Sequence, residues 1–364
     1  MKRVHFLNLL YFFVLLTICG CDVCPPQGGG NDDLSGYIFF TAYSLGAQRP
    51  AICYIDANGD AFREISASGT IYSAPSANNK IAFLAVDTAR KKNMLYLGNI
   101  FGGSPVLIEE DNEKYSIINP ILSPDGNKIA FFGGNSKLNI WINDPETNSP
   151  YIDEISASIY DNVLASFSPD GKLIAYVEKV GGRPSLVIVD VAAPDEDLFR
   201  KTFQETAPDA RTLDAPVWTP DGAQLTYVTQ NDVADLITIV SVPGFKERSI
   251  PIDVKALGAR TAAAFNGARH IVFTGREGAL WMMTLDGDKP RYTNLTESDS
   301  TQVCLYPQWS DNGKYIIYNV FSSLDDRDAH SQIALIELNL NNSTPQIVRR
   351  ITLANNALRG YWKK

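Results

Sequence analysis

Three aspartates stand in the same local setting: Asp125 in "SPDG" at 123–126, Asp170 in "SPDG" at 168–171 and Asp221 in "TPDG" at 219–222. Matched carboxylates could act as general acids or bases, and two of them about 5–10 Å apart in a cleft would suit glycoside hydrolysis. The residues around them point elsewhere. Proline presets φ for the first corner of a type I turn, aspartate bonds nearby backbone N–H groups, and glycine takes the left-handed conformation that returns the chain as a hairpin. Geometry accounts for every residue of the motif, so Asp125, Asp170 and Asp221 are read as structural turns.

Other reactive groups are sparse. Of three histidines, His5 lies in the apolar leader, leaving His270 and His330. Two histidines argue against a Ser-His-Asp hydrolase and against a multi-His metal centre. "SSLDDRDAHSQ" (322–332) places Asp325, Asp326 and Asp328 in one loop, a weak calcium candidate whose spacing matches no defined calcium loop. No catalytic residue, no other metal and no cofactor is assigned. "DTARKKN" (87–93) supplies Arg90, Lys91 and Lys92, and Arg49, Arg183 and Arg327 fall in equivalent loops. A basic rim there could recruit an anionic partner, although long exposed loops also carry charge for solvation alone.

These residues are spaced by a repeat. An aromatic ends a "KIAF"-like strand at Phe39, Phe83, Phe131, Tyr176, Tyr227, Phe273 and Tyr318, in steps of 44, 48, 45, 51, 46 and 45. Within one period, 215–250, four β-branched or aromatic runs alternate with breaks rich in Gly, Pro, Asp and Asn. The second and third runs are nearly continuous in apolar residues, as expected of strands covered on both faces. A period near 45 made only of strands predicts the blades of a β-propeller. Trp218 and Trp309 each stand nine residues before their aromatic marker, and Trp362 supplies the same residue for the first repeat, which lacks a first strand. The expectation is an all-β chain: one propeller over 36–362, seven four-stranded blades, closed by a C-terminal strand. Six blades with a degenerate terminal repeat is the alternative.

With "SPDG-K-IAF" turns and the third-strand turns "YIDANGD" (54–60) and "TLDGDKP" (284–290), the chain resembles the TolB-like, WD-type β-propeller repeat family. The resemblance covers nearly all of 36–362 and is specific for fold rather than function. It implies a lone propeller, because TolB's separate N-terminal α/β domain and the catalytic domain of propeller peptidases have no counterpart here. Pectin-lyase propellers need a His-rich metal centre, which this sequence does not offer.

"MKR" followed by "VHFLNLLYFFVLLTI" reads as a signal peptide over 1–20, and "ICGC" resembles a bacterial lipoprotein signal with Cys21 as the lipidated residue. Residues 21–35, with Pro25, Pro26 and Gly28 to Gly30, read as a flexible tether. Export implies an oxidising compartment, where Cys24, Cys53 and Cys304 allow at most one disulfide; buried free thiols are the plainer reading for Cys53 and Cys304. A net charge of −9 repels phosphate backbones, so nucleic acid is not an expected partner.

The functional expectation is a membrane-anchored propeller lipoprotein of the bacterial cell envelope, facing periplasm or cell surface, that scaffolds a protein or glycan partner without catalysing a reaction. Its contact face would carry the 44–50, 86–93, 178–184 and 320–331 loops. The alternative is a carbohydrate-active or other hydrolytic enzyme using carboxylates in the central channel.

Overall fold

The computed structural model describes residues 36–362, apart from 44–49, 102, 113–116, 134–136, 145–148, 155–164, 181–182, 203–215, 231–234, 253–261, 276, 287–288, 297–301, 323–330 and 342–344. The described residues form seven four-stranded antiparallel sheets and a single short 3-10 turn at Asn266–Ala268. None of the helical structure described is long and apolar enough to cross a membrane.

Each blade takes its four strands consecutively, except the first. Blade 1 orders its strands Ala357–Trp362, Tyr37–Ala42, Ala51–Asp56 and Arg63–Ser68, so the last strand of the chain completes the first sheet. Blade 2 begins with Thr70–Ile71, blade 3 with Ile118–Leu122, blade 4 with Ser166–Phe167, blade 5 with Val217–Trp218, blade 6 with Ala262–Ala264 and blade 7 with Val303–Trp309. The chain is a seven-bladed β-propeller, not the six-bladed alternative.

The cores lie between blades rather than within them, because a four-stranded sheet buries both faces only when another sheet covers each. Tyr315–Phe321 is buried along its whole length, and so is His270–Thr274. Six of the seven aromatic markers pack towards the preceding blade: Tyr227 joins Ala175 and Ile188 of blade 4, and Tyr318 joins Val272 and Met282 of blade 6. At the seam, Ile38, Phe40 and Trp362 pack with Tyr315, Ile317 and Leu335 of blade 7.

Register corrects one detail of the repeat. Trp218 faces Leu225 and Trp309 faces Ile316, each two residues before its marker, whereas Trp362 faces Ile38. The marker of blade 1 is therefore Phe40. Phe39 packs the opposite way, against Ile71, Ile81 and Phe83 of blade 2. Two adjacent buried phenylalanines concealed this frame.

The repeated turns interlock. In blade 4, Gly171 N–H donates to Ser168 O (2.8 Å), Ser168 Oγ donates to Asp170 Oδ1 (2.6 Å), and Asp170 Oδ1 accepts Lys172 N–H (3.1 Å). Blade 5 repeats this with Thr219, Asp221 and Ala223, and blade 3 with Ser123, Asp125 and Asn127. In blade 7, Asn312 replaces the aspartate in the same role. The turn glycines 126, 171, 222 and 313 share φ of 69–70°, and three of them, 126, 222 and 313, leave little room above them. A Cβ on Gly222 would press on Pro169 of the preceding turn, and one on Gly313 would strike Phe265.

Candidate functional site: the channel wall of blades 7, 1 and 2

The first strands ring the axis and touch one another from blade to blade. Leu122 N–H donates to Ser73 Oγ (2.9 Å), Trp218 Nε1 to Ser166 O (3.1 Å) and Trp309 Nε1 to Ala263 O (3.0 Å). Three of these strands share an irregularity. Between Ile118 and Ile121, between Leu305 and Gln308, and between Leu358 and Tyr361, one extra residue opposes the neighbouring strand. Each bulge opens on a non-glycine residue in the left-handed region: Asn119 (φ 47°), Tyr306 (φ 57°) and Arg359 (φ 58°). Pro120, Pro307 and Gly360 follow them; proline lacks the N–H that a regular ladder would use there. Bulges re-aim side chains, and left-handed non-glycine residues gather where function holds them.

The bulges of blades 7 and 1 lead into one side-chain cluster. The guanidinium of Arg359 lies 3.9 Å from the ring centroid of Tyr72, the residue after the first strand of blade 2. Arg359 also lies near the Tyr361 phenol. Burial raises the Tyr361 phenol above its ordinary pKa, the nearby Tyr306 and Tyr72 phenols raise it further, and Arg359 opposes them. Tyr72, Tyr306, Arg359 and Tyr361 are each half-buried, between core and open solvent. Gln308 fixes the arrangement by donating Nε2–H to Gly360 O (2.9 Å), next to Arg359. On the other side of the strand, Ala357 N–H donates to Ser331 O (3.0 Å).

Charge singles out the same spot. The described first-strand residues include no Asp or Glu, and Arg359 is their one formal charge. Among the described residues no carboxylate lies within ion-pair distance of Arg359. Its contact among the described residues is the cation–π one with Tyr72. No group of three His, Cys, Asp or Glu that could hold a metal ion occurs among the described residues.

The residues singled out from sequence lie elsewhere. Arg90 sits at the loop after Lys80–Asp87, with Nε 2.7 Å from Asp87 Oδ2 and Nη1 3.1 Å from Glu110 Oε2. Its N–H bonds to Asp87, backbone first and then side chain, hold that carboxyl below the usual range, and Arg90 is raised in turn. Lys92 Nζ shares Glu110 at 3.3 Å, and Lys91 is exposed at φ 54°. Much of this basic loop is thus matched by acids of its own blade. Arg183 opens the third strand of blade 4 by pairing with Val180, its side chain outside the described residues. Arg49, Arg327, Cys21, Cys24, His330, Asp325, Asp326 and Asp328 lie outside the described residues.

Asp125 and Asp170 make the turn bonds given above. Burial pushes both carboxyls up, but the hydroxyl and N–H groups donated to them win, and both sit below the ordinary value. Buried His270 pairs Nδ1 with Thr284 Oγ1 (3.2 Å), and desolvation lowers its pKa. Cys53 and Cys304 are buried and unlinked, and burial pushes the Cys304 thiol up to about 11.

With this geometry in hand, comparison with known proteins adds the fold. No protein-family model and no curated protein sequence matches the chain. Many solved structures do. A hypothetical selenium-binding protein from Sulfolobus tokodaii aligns at 8% identity and TM-score 0.58, over 91% of this chain and 94% of its own. Kuenenia stuttgartiensis hydrazine synthase aligns at 16% and 0.51, over 83% and 99%. TolB propellers are among the neighbours. The one from Acinetobacter baumannii aligns at 14% and 0.47, over 90% and 82%. Identities this low speak to shared architecture alone, so the function of this chain has to come from its own residues.

Sequence reasoning passed over Tyr72, Tyr306, Arg359 and Tyr361. A signal was present: Asn-Pro, Tyr-Pro and Arg-Gly begin three residues before Leu122, Trp309 and Trp362, and proline or glycine inside a strand pattern marks a bulge.

Proposed function

We propose that this chain is a binding scaffold of the bacterial cell envelope, exported and held on a membrane through lipid on Cys21. It engages a protein or glycan partner at the channel mouth and the loops around it, Arg49, Arg90, Lys91, Lys92, Arg183 and Arg327 contributing at the rim. The observation that carries the reading is the makeup of the described first strands. They offer aromatic faces, amides and one cation, and no carboxylate pair of the kind glycoside hydrolysis uses. Concave surfaces with aromatic walls and a few convergent polar groups suit ligand binding.

The test is crosslinking in native envelopes followed by mass spectrometry, beside labelling with a fatty-acid probe. A recovered protein or glycan partner, with label lost on Cys21→Ser, is the expected result. Turnover of a polysaccharide with no partner recovered would replace the scaffold by the hydrolase reading.

A further inference from the structure

We infer that the wall formed by blades 7, 1 and 2 binds a carboxylate-bearing sugar, a uronate unit of an acidic glycan, with Arg359 receiving the carboxylate. The inference rests on the binding reading above and names its ligand class.

Arg359 is a half-buried cation without a carboxylate partner among the described residues, whereas Arg90 has Asp87 and Glu110, and Lys314 and Arg349 share Glu337. A partly desolvated charge lacking an opposite charge favours an incoming one. Its fork geometry matches a carboxylate in bidentate fashion, and the contact with the Tyr72 ring, 3.9 Å from guanidinium carbon to ring centroid, helps hold the guanidinium in place. The bulge places it there at the cost of left-handed backbone, and Gln308 clamps the following carbonyl, so the residue is held in one pose before any ligand arrives.

The neighbours select a sugar over a bare anion. Tyr306 packs edge-on to Phe321 and Tyr361 packs against the core between blades 1 and 2, while their phenols lie near the guanidinium and supply hydroxyls that can bond a polyhydroxylated ring. Because the set spans adjacent blades rather than the whole ring, the ligand would lie against one side of the channel.

The experiment is calorimetric titration of the full chain with a galacturonic acid trimer and, in parallel, its fully methyl-esterified form. The acid trimer is expected to bind at least tenfold more tightly than the ester. Arg359→Gln should abolish that difference with an unchanged melting curve, and Arg359→Lys should restore part of it, since charge returns without the fork. The acid–ester comparison stands on the parent protein if a variant fails to fold. Equal binding of acid and ester, no binding of either, or displacement only by a peptide with a free C-terminal carboxylate would overturn the inference. A partner recovered by envelope crosslinking without uronate binding would overturn it too, and leave the broader scaffold reading standing.

Discussion

Ile38 lies directly opposite Trp362 in the same sheet, so two residues at opposite ends of the described chain are cross-strand neighbours. This pairing joins the ring, and it places Trp362 on the blade 7 residues Tyr315 and Ile317. Removal of 355–364 would uncover Ile38 and Phe40 and leave Tyr37–Ala42 as an unpaired edge. The truncated chain is expected to melt about 10 °C lower or to aggregate, by scanning calorimetry and light scattering. An unchanged melt would remove closure from the account.

The three equivalent tryptophans are not equally satisfied. Trp218 and Trp309 donate to the preceding blade, while the buried Nε1 of Trp362 has no hydrogen-bond partner among the described residues. Trp309→Phe should therefore cost about 1 kcal/mol more than Trp362→Phe in urea unfolding, since only the former also orphans a carbonyl. Equal losses would show that the bond at Trp309 contributes nothing net.

Acid should act through the turns. Asp170 is held below the ordinary value of 3.8, so its contribution is present above that pH and is lost as pH falls through the lower folded value. Asp170→Asn keeps the acceptor, as Asn312 does naturally in blade 7. Melting temperatures of parent and variant should converge between about pH 4 and pH 2 and differ most above it. A constant difference across that range would assign the effect to packing.

Crowding at the turns gives a paired comparison. Gly267 and Gly313 share nearly the same φ, 73° and 69°, but a Cβ on Gly267 meets open space and one on Gly313 meets the Phe265 ring. Gly267→Ala should lose about 1 kcal/mol from backbone strain, and Gly313→Ala about 1–3 kcal/mol more from overpacking. Similar losses would mean that Phe265 yields without cost.

Local features were legible in the sequence because their causes are local. Pro, Asp and Gly fix a turn by their own conformations, and alternate breaks and apolar runs mark strands wherever they occur. Trp362 could be placed because its partner tryptophans keep a fixed distance from their markers. The channel cluster was not legible for the opposite reason: Arg359 meets Tyr72 only once the ring has closed. The basic loop misled in a related way. Arg90 and Lys92 are visible in "DTARKKN", but Glu110, which neutralises both, comes from the far strand of the same blade.

A ring sealed by its last strand also sets an order of events during synthesis. Blades 2 to 7 take their strands consecutively as the chain emerges, whereas blade 1 waits for Ala357–Trp362. At about 5–20 residues per second, Tyr37–Ala42 spends roughly twenty seconds to a minute without its inner neighbour. Throughout that interval the nascent chain carries an open apolar edge. The half-made protein therefore depends on whatever shields that edge, whether a chaperone or the translocation machinery, in a way the finished ring does not.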